Sequence, residues 1–459
     1  MTENGLQAAC EKMRQAGVSE QAITVFEHYY HRLAEGEGGL ILEADVEPLD
    51  QPDKYEDIAV SADEAKDALS KTVVIKLNGG LGTSMGMNAP KSMLPVRDGL
   101  SFFDIICRQI LALRKKYDVQ LPLLFMDSFN TRTDTLKAAQ RYPEVTTPGL
   151  PLDFLQNQEP KLTADTLEPV TWEKEPRLEW CPPGHGDIYV SLLATGILKK
   201  LLDAGYKYAF TSNADNLGAV PSAEIAAWFA ATGADYAAEV TKRTVTDLKG
   251  GHLVRRKSDG RLILRETAQI RDDEMKYFTD DKRHPYTHTN NLWLNLETLY
   301  TKLTENDGVL GMPLIVNRKT VDPKDADSTP VIQMETAMGA AIEVFDHATA
   351  LAVPRSRFLP VKTTAELTLV RSDLYDLTDD YSLVKVADAT PDIKLDSRYY
   401  KRIGDYEARF AKGVPSLTQA TSLVVEGDWT FGEGVRVVGD AHLEDAGAPN
   451  EVPDGKVLS

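Results

Sequence analysis

Residues 72–96 read TVVIKLNGGLGTSMGMNAPKSMLPV, and the fold turns on this stretch. The β-branched run at 72–75 has the composition of a buried strand. It gives way to a loop holding Gly79, Gly80, Gly82 and Gly86, which closes on Pro90 and Lys91. A strand feeding a glycine-rich turn is a recurring device for holding phosphate. Glycine lets the backbone approach an anion closely, and exposed N–H groups point at it. A helix starting just beyond adds its positive end.

Spacing separates the versions of this device. A P-loop needs glycine directly before its Lys-Ser pair, and here Pro90 precedes Lys91 and Ser92. The dinucleotide fingerprint needs G-x-G-x-x-G, and the run Gly80-x-Gly82-x-x-x-Gly86 is one residue too long. What remains is the sugar-nucleotidyltransferase pattern of strand, glycine loop and a later Pro-Lys pair. The loop wraps nucleotide phosphates, and the lysine returns as a point charge on a flexible stem. Such a site transfers a nucleotidyl group rather than a hydride.

The 459 residues allow two to four domains at about 150 residues each. No apolar run is long enough to span a membrane, and the start, MTENGLQAACEKMRQ, lacks the basic-then-apolar order of a signal peptide. Cys10, Cys107 and Cys181 are odd in number and far apart, so they form neither a disulfide framework nor a zinc pattern. No Asn-x-Ser/Thr sequon occurs. These features predict a cytoplasmic protein. The net charge of −19 weighs against nucleic acid or an anionic membrane as partner. Any phosphate chemistry must rest on a few named cations.

Residues 1–70 read as a mostly helical region. Phe26, Tyr30 and Leu33 recur at helical spacing, and Gly36, Gly38 and Gly39 end that segment. SADE (61–64) is a capping-box pattern. From 71 to 384 strand-like runs such as LPLLFMDS (121–128), YKYAFTSN (206–213) and DYAAEV (235–240) alternate with helical ones such as DIYVSLLATGILKKLLDAG (187–205). This alternation predicts an α/β fold with a mixed, mostly parallel central sheet flanked by helices. HLVRRKSDGRLILRE (252–266) reads as a hairpin around Asp259-Gly260. Residues 385–459 change character. Within them, LVVEGDWTFGEGVRVVGDAHLED (423–445) fits either coils of a β-helix or a pair of hairpins.

Six further stretches follow the glycine loop: FLQNQEPK (154–161), PPGHGD (182–187), SNADNLGA (212–219), HTNNLW (288–293), QMETAMGAAI (333–342) and VPRSRFLPVKTT (353–364). With the loop they make seven ordered motifs across roughly residues 70–370. In this order they closely resemble the UTP–glucose-1-phosphate uridylyltransferases (UDP-glucose pyrophosphorylases) of the eukaryotic type. The chain departs from the family's usual Cys and Gly at Met87 and Ala89, and its C-terminal region is brief for the family. The resemblance implies a Rossmann-like nucleotide-diphospho-sugar transferase domain at 71–384 and a short left-handed β-helix-like domain at 385–459. It leaves a homo-oligomer open.

The reaction implied is UTP plus glucose 1-phosphate giving UDP-glucose and pyrophosphate, reversibly, by direct attack on the α-phosphorus. Both reactants are anions, so cations and positioning dominate the barrier. The resemblance puts Lys91 on the UTP phosphates and Lys362 at the reacting phosphates, with Arg355 and Arg357 close in sequence to add charge. It makes Asp215, past the end of a predicted strand, the Mg²⁺ ligand, with Asn213 beside it. Magnesium prefers oxygen and is commonly held by one or two carboxylates plus substrate phosphates. Gln156 matches the donor–acceptor edge of uracil, and Gly184 offers backbone without an obstructing side chain. Leu77, Asn78, Gly79 and Gly80 line the UTP pocket, the two glycines reaching the sugar phosphate as well. His185, Asn213, Asn290 and Glu335 are the sugar-phosphate candidates. His284 and His288 do not read as a zinc pair, because Pro285 disfavours a continuous helix and no HExxH acid is present.

Two rival readings keep a place. A related pyrophosphorylase would use galactose 1-phosphate or N-acetylhexosamine 1-phosphate, although the GGQGTRLG-like loop usual for the latter is absent. A non-catalytic sugar-nucleotide-binding protein is expected to lack Lys91, Asp215 or Lys362, and all three are present.

Overall fold

The computed structural model describes residues 2–36 and 39–459; Gly38, named above as part of a helix stop, lies outside them. Eight strands build the central sheet: β1 (Asp53–Lys54), β2 (Thr72–Leu77), β3 (Leu123–Asp127), β4 (Asp153–Leu155), β5 (Tyr208–Asn213), β6 (Tyr236–Lys242), β7 (Tyr286–Asn295) and β8 (Ala348–Ala352). Their spatial order is β1-β8-β6-β7-β5-β2-β3-β4. Every neighbouring pair is parallel except the two made by β7, which runs against β5 and β6.

Successive side chains of a strand point to opposite faces, so a strand covered on both sides is apolar throughout. In β2, Val73 and Ile75 pack with Leu124, Ile188, Leu192 and Leu201 on one face. Val74 packs with Phe103, Phe125, Phe210 and Trp293 on the other. All of these are nearly inaccessible to water. The helix Phe102–Tyr117 and the helix Ala223–Thr232 cover that second face.

The SADE box caps the helix Ala62–Ser70, with Ser61 and Glu64 bonded reciprocally. The 252–266 hairpin is present, its strands His252–Arg256 and Leu262–Arg265 antiparallel. The helix read across 187–205 is instead two, Ile188–Ala194 and Ile197–Asp203. Gly196 breaks it by entering the left-handed region at φ 70°. The N-terminal region is less separate than its helical character suggests. Val46–Pro48 pairs with the hairpin strand, and β1 extends the central sheet at its edge.

In the C-terminal region, β9 (Asp392–Leu395), β10 (Ser416–Val425), β11 (Trp429–Phe431), β12 (Arg436–Leu443), β13 (Asn450–Val452) and β14 (Val457–Leu458) pair only in parallel. Hairpins are antiparallel, so the β-helix alternative is the one realised. Tyr400, Tyr406, Phe410 and Phe431 belong to the same apolar cluster as Leu367, Val370 and Phe103. The core therefore runs across residue 384 without a break.

Candidate active site

The glycine loop starts where β2 ends, and β5 ends beside it, with Leu77 opposite Asn213. Ligands of open α/β sheets bind beyond such carboxyl ends. A cleft of about 380 Å³ opens here, walled by residues 77–80, Lys91, Gln156, Gly184, His185, Asn213 and Asp215. A second cleft of about 370 Å³ adjoins it and is walled by Asn290, Lys362, Lys249, Gly251, Glu266 and His288. Asn213 lines both.

Close approach explains the glycines. A Cβ on Gly79 would lie 2.9–3.1 Å from the Gln156 side-chain amide. Glycine here lets that amide stand against the loop. A Cβ on Gly80 would meet only open space. Gly184 sits at φ 82°, and its Cβ would strike the Thr336 carbonyl at 2.5 Å. Met87 packs over Gly82, and the Gly82 N–H donates to the Ala89 carbonyl at 3.4 Å.

Asn78 lines the first cleft through its backbone, since its amide turns inward. It donates to Asp127 Oδ1 at 2.8 Å and to Thr135 Oγ1 at 2.9 Å. Thr131 and Thr135 donate to the same oxygen. Burial nonetheless raises the Asp127 pKa to about 6. This buried network fixes the start of the loop.

Lys91 Nζ lies 2.8 Å from Asp215 Oδ2, both groups about four-fifths covered. Asp215 Oδ1 is buried with no hydrogen-bond partner among the described residues. An oxygen left bare in this way fits a hard cation, which takes carboxylate oxygen. Lys362 is exposed in the second cleft. The Val361 N–H bonds the Asp215 carbonyl at 3.2 Å, so the lysine's loop is tied to the aspartate's.

His185 accepts from the Met338 N–H through Nδ1 at 2.9 Å. That bond leaves Nε2 as the protonated nitrogen. Burial lowers its pKa to about 4, so the ring is a neutral donor. Asn290 stands at φ 59° inside β7, a costly conformation for a non-glycine residue. Its Oδ1 and the neighbouring His288 Nε2 are buried and have no hydrogen-bond partner among the described residues. His288 was weighed in the sequence only as half of a metal pair. His284, the other half, bonds Glu43 at 3.2 Å.

Three sequence candidates contact other side chains. Glu335 lines neither cleft; it faces Lys319 at 3.7 Å and, with Pro183, lines a separate and largely apolar cavity. Arg355 pairs with Asp247. Arg357 is buried and bidentate on Glu239, at 2.8 and 2.7 Å. Arg357 is spent on Glu239, whereas Arg355 reaches a phosphate only by leaving Asp247, as Lys91 must leave Asp215. Lys249 and Glu266 were missed in the sequence. The hint was the Lys249-Gly250-Gly251 run beside a hairpin, a smaller copy of the glycine-and-lysine pairing at 79–91.

The family model described as UTP–glucose-1-phosphate uridylyltransferase matches residues 23–437. The potato enzyme of that name is 40% identical over 416 residues, covering 89% of this chain and 84% of its own. A relative from Pyrus pyrifolia is 42% identical over 402 residues, covering 86% and 83%. A UDP-glucose pyrophosphorylase mutant from Leishmania major, solved with UDP-glucose, superposes with a TM-score of 0.93 at 40% identity, covering 99% of this chain and 98% of that one. A Trypanosoma brucei structure gives 0.93 at 39%, with the same coverage. By its sequence, its sheet order and the loop at the end of β2, this chain belongs to the UTP–glucose-1-phosphate uridylyltransferase family.

Proposed function

We propose that this protein transfers the uridylyl group of UTP to glucose 1-phosphate, yielding UDP-glucose and pyrophosphate. One observation carries the reading: two clefts meet at Asn213, one holding the Lys91–Asp215 pair and the other Lys362. The protein is acidic overall, so a lysine in each of two adjoining clefts suits paired anionic substrates.

In this reading UTP lies in the first cleft. Its uracil meets the Gln156 amide and the backbone at Gly184, and its phosphates follow Gly79 and Gly80. Lys91 leaves Asp215 for the triphosphate. Asp215 would then hold Mg²⁺, a fit supported by its bare, buried Oδ1. Mg²⁺ held there would offset phosphate charge and help orient the triphosphate. Glucose 1-phosphate enters from the second cleft, where Asn213 and Asn290 supply hydrogen bonds, and the neutral His185 meets it from the wall of the first. A phosphate oxygen attacks the α-phosphorus, the bond to the β-phosphate breaks, and pyrophosphate departs with the electron pair. Lys362 sits against the reacting phosphates and offsets their charge. The step needs no covalent enzyme intermediate and no net proton transfer.

A coupled pyrophosphate-release assay across nucleoside triphosphates and sugar 1-phosphates, with and without Mg²⁺, tests this. UTP with glucose 1-phosphate and Mg²⁺ should give the highest kcat/KM. Preference for galactose 1-phosphate or N-acetylhexosamine 1-phosphate would reassign the sugar, and release from no pair would end the reading.

A further inference from the structure

On the wall of the second cleft, beside its junction with the first, lies Asn216, one residue from the proposed metal ligand and only 2% exposed. Its amide is fully used. Nδ2 donates to the Arg357 carbonyl at 3.2 Å and to Asn291 Oδ1 at 3.3 Å. Oδ1 accepts from the Leu359 N–H at 2.8 Å and the Gly218 N–H at 3.2 Å. A side-chain amide has two donor hydrogens and two acceptor lone pairs, so none is left for a substrate.

These four bonds join three segments, each carrying a proposed site residue. Gly218 belongs to the loop of Asn213 and Asp215. Leu359 and Arg357 belong to the loop of Lys362. Asn291 follows Asn290 in β7. The backbones of the first two loops also meet directly: Asn216 pairs with Pro360 as an antiparallel bridge, and a Cβ on Gly218 would lie 2.3 Å from the Ser356 carbonyl. The Lys362 loop is anchored from its other side too. Arg357 binds Glu239 twice, and Asn291 donates to Glu239 at 3.0 Å and to the Arg357 carbonyl at 3.2 Å. Asn216 is thus one of two side chains that tie the aspartate's loop to the lysine's; the other is Arg357, whose guanidinium donates to the Val220 carbonyl at 2.8 Å.

We infer that Asn216 is a positioning residue for the transfer step, setting Lys362 in register with Asp215 while touching no substrate. This rests on the uridylyl-transfer reading. Its consequence is specific. Losing the amide should loosen the register of Lys362, leaving it to the Asn216–Pro360 bridge and the Val361 and Arg357 bonds to the aspartate's loop, and leave the nucleotide cleft intact, because the walls around Gln156, Gly184 and Lys91 are built from other segments.

The test is a double-mutant cycle on the full chain, with Asn216→Ala, Lys362→Ala and the pair, read as kcat, KM for UTP and calorimetric affinity for UDP-glucose. Asn216→Ala is expected to lower kcat at least about 30-fold while KM and affinity stay within about threefold. In the background of Lys362→Ala it should cost less than about threefold more, since residues acting as a unit are strongly non-additive. Multiplicative losses, or equal losses in kcat and affinity, would overturn the inference and leave Asn216 a merely structural residue. Should Asn216→Ala fail to fold, Asn216→Asp keeps both acceptors and loses both donors. The same non-additivity with Lys362→Ala is then expected, and its absence is equally decisive. Failure of the underlying reading would show separately, as a wild-type chain that makes no UDP-glucose.

Discussion

At the scale of single residues, Gln156 carries base choice in this account. Gln156→Ala should narrow the kcat/KM preference for UTP over other triphosphates by about tenfold, the worth of one or two hydrogen bonds. Unchanged discrimination would mean that the base is read elsewhere. Gly79→Ala should mimic it by a different route, displacing the amide that stands within 3.1 Å of the new Cβ. Lys362→Ala should depress turnover by several orders of magnitude and weaken uridine-nucleotide binding far less; near-wild-type turnover would remove Lys362 from the mechanism. His185 makes a pH prediction. Its folded pKa of about 4 lies below the ordinary 6.5, so the native state binds fewer protons than the unfolded chain. Its neutral form costs nothing above pH 6.5, and stability drains away as pH falls from there through about 4. Its ring resonances should show no titration by NMR between pH 5.5 and 8; a midpoint near 6.5 would contradict the half-buried ring's acceptor bond to Met338.

Elements were legible where periodicity and a stop signal coincided. The β2 run and the SADE cap read directly, because each is a local pattern of burial or bonding. The helix break at Gly196 was missed, since an isolated glycine is tolerated inside many helices and only packing decides. Side-chain direction was the least legible. Nothing in QMETAMGAAI tells that Glu335 turns to Lys319, and nothing in PRSRF tells that Arg357 dives to Glu239. Those outcomes depend on which loop lies over which strand. The Arg357–Glu239 pair now anchors the Lys362 loop to β6. Glu239 is fully buried and also accepts from Trp293 and Asn291. Glu239→Ala leaves a buried guanidinium unpaired and should cost about 3–5 kcal/mol, seen as a lowered midpoint in urea. A loss below about 1 kcal/mol would show that water replaces the carboxylate.

For the whole molecule, the sequence predicted the α/β class and the motif order, whereas the second cleft stayed hidden. That cleft gathers residues 213, 249–251, 266, 288–290 and 362 from five separate segments, and only the sheet order brings them together. The same long-range assembly binds the C-terminal coils to the rest. Because Tyr400, Phe410 and Leu367 share one core, a chain ending at residue 391 should be insoluble or lose its cooperative thermal transition. A soluble fragment that melts cooperatively would show two independent domains. The account's central claim is that two ammonium groups and a carboxylate converge on one triphosphate. The most direct measurement is a crystal structure with UTP and Mg²⁺. It should place Lys91 and Lys362 at about 3 Å from phosphate oxygens, as charge-assisted hydrogen bonds require, with Asp215 on the metal. Lys91 still paired to Asp215, and Lys362 turned to solvent with the nucleotide bound, would contradict it.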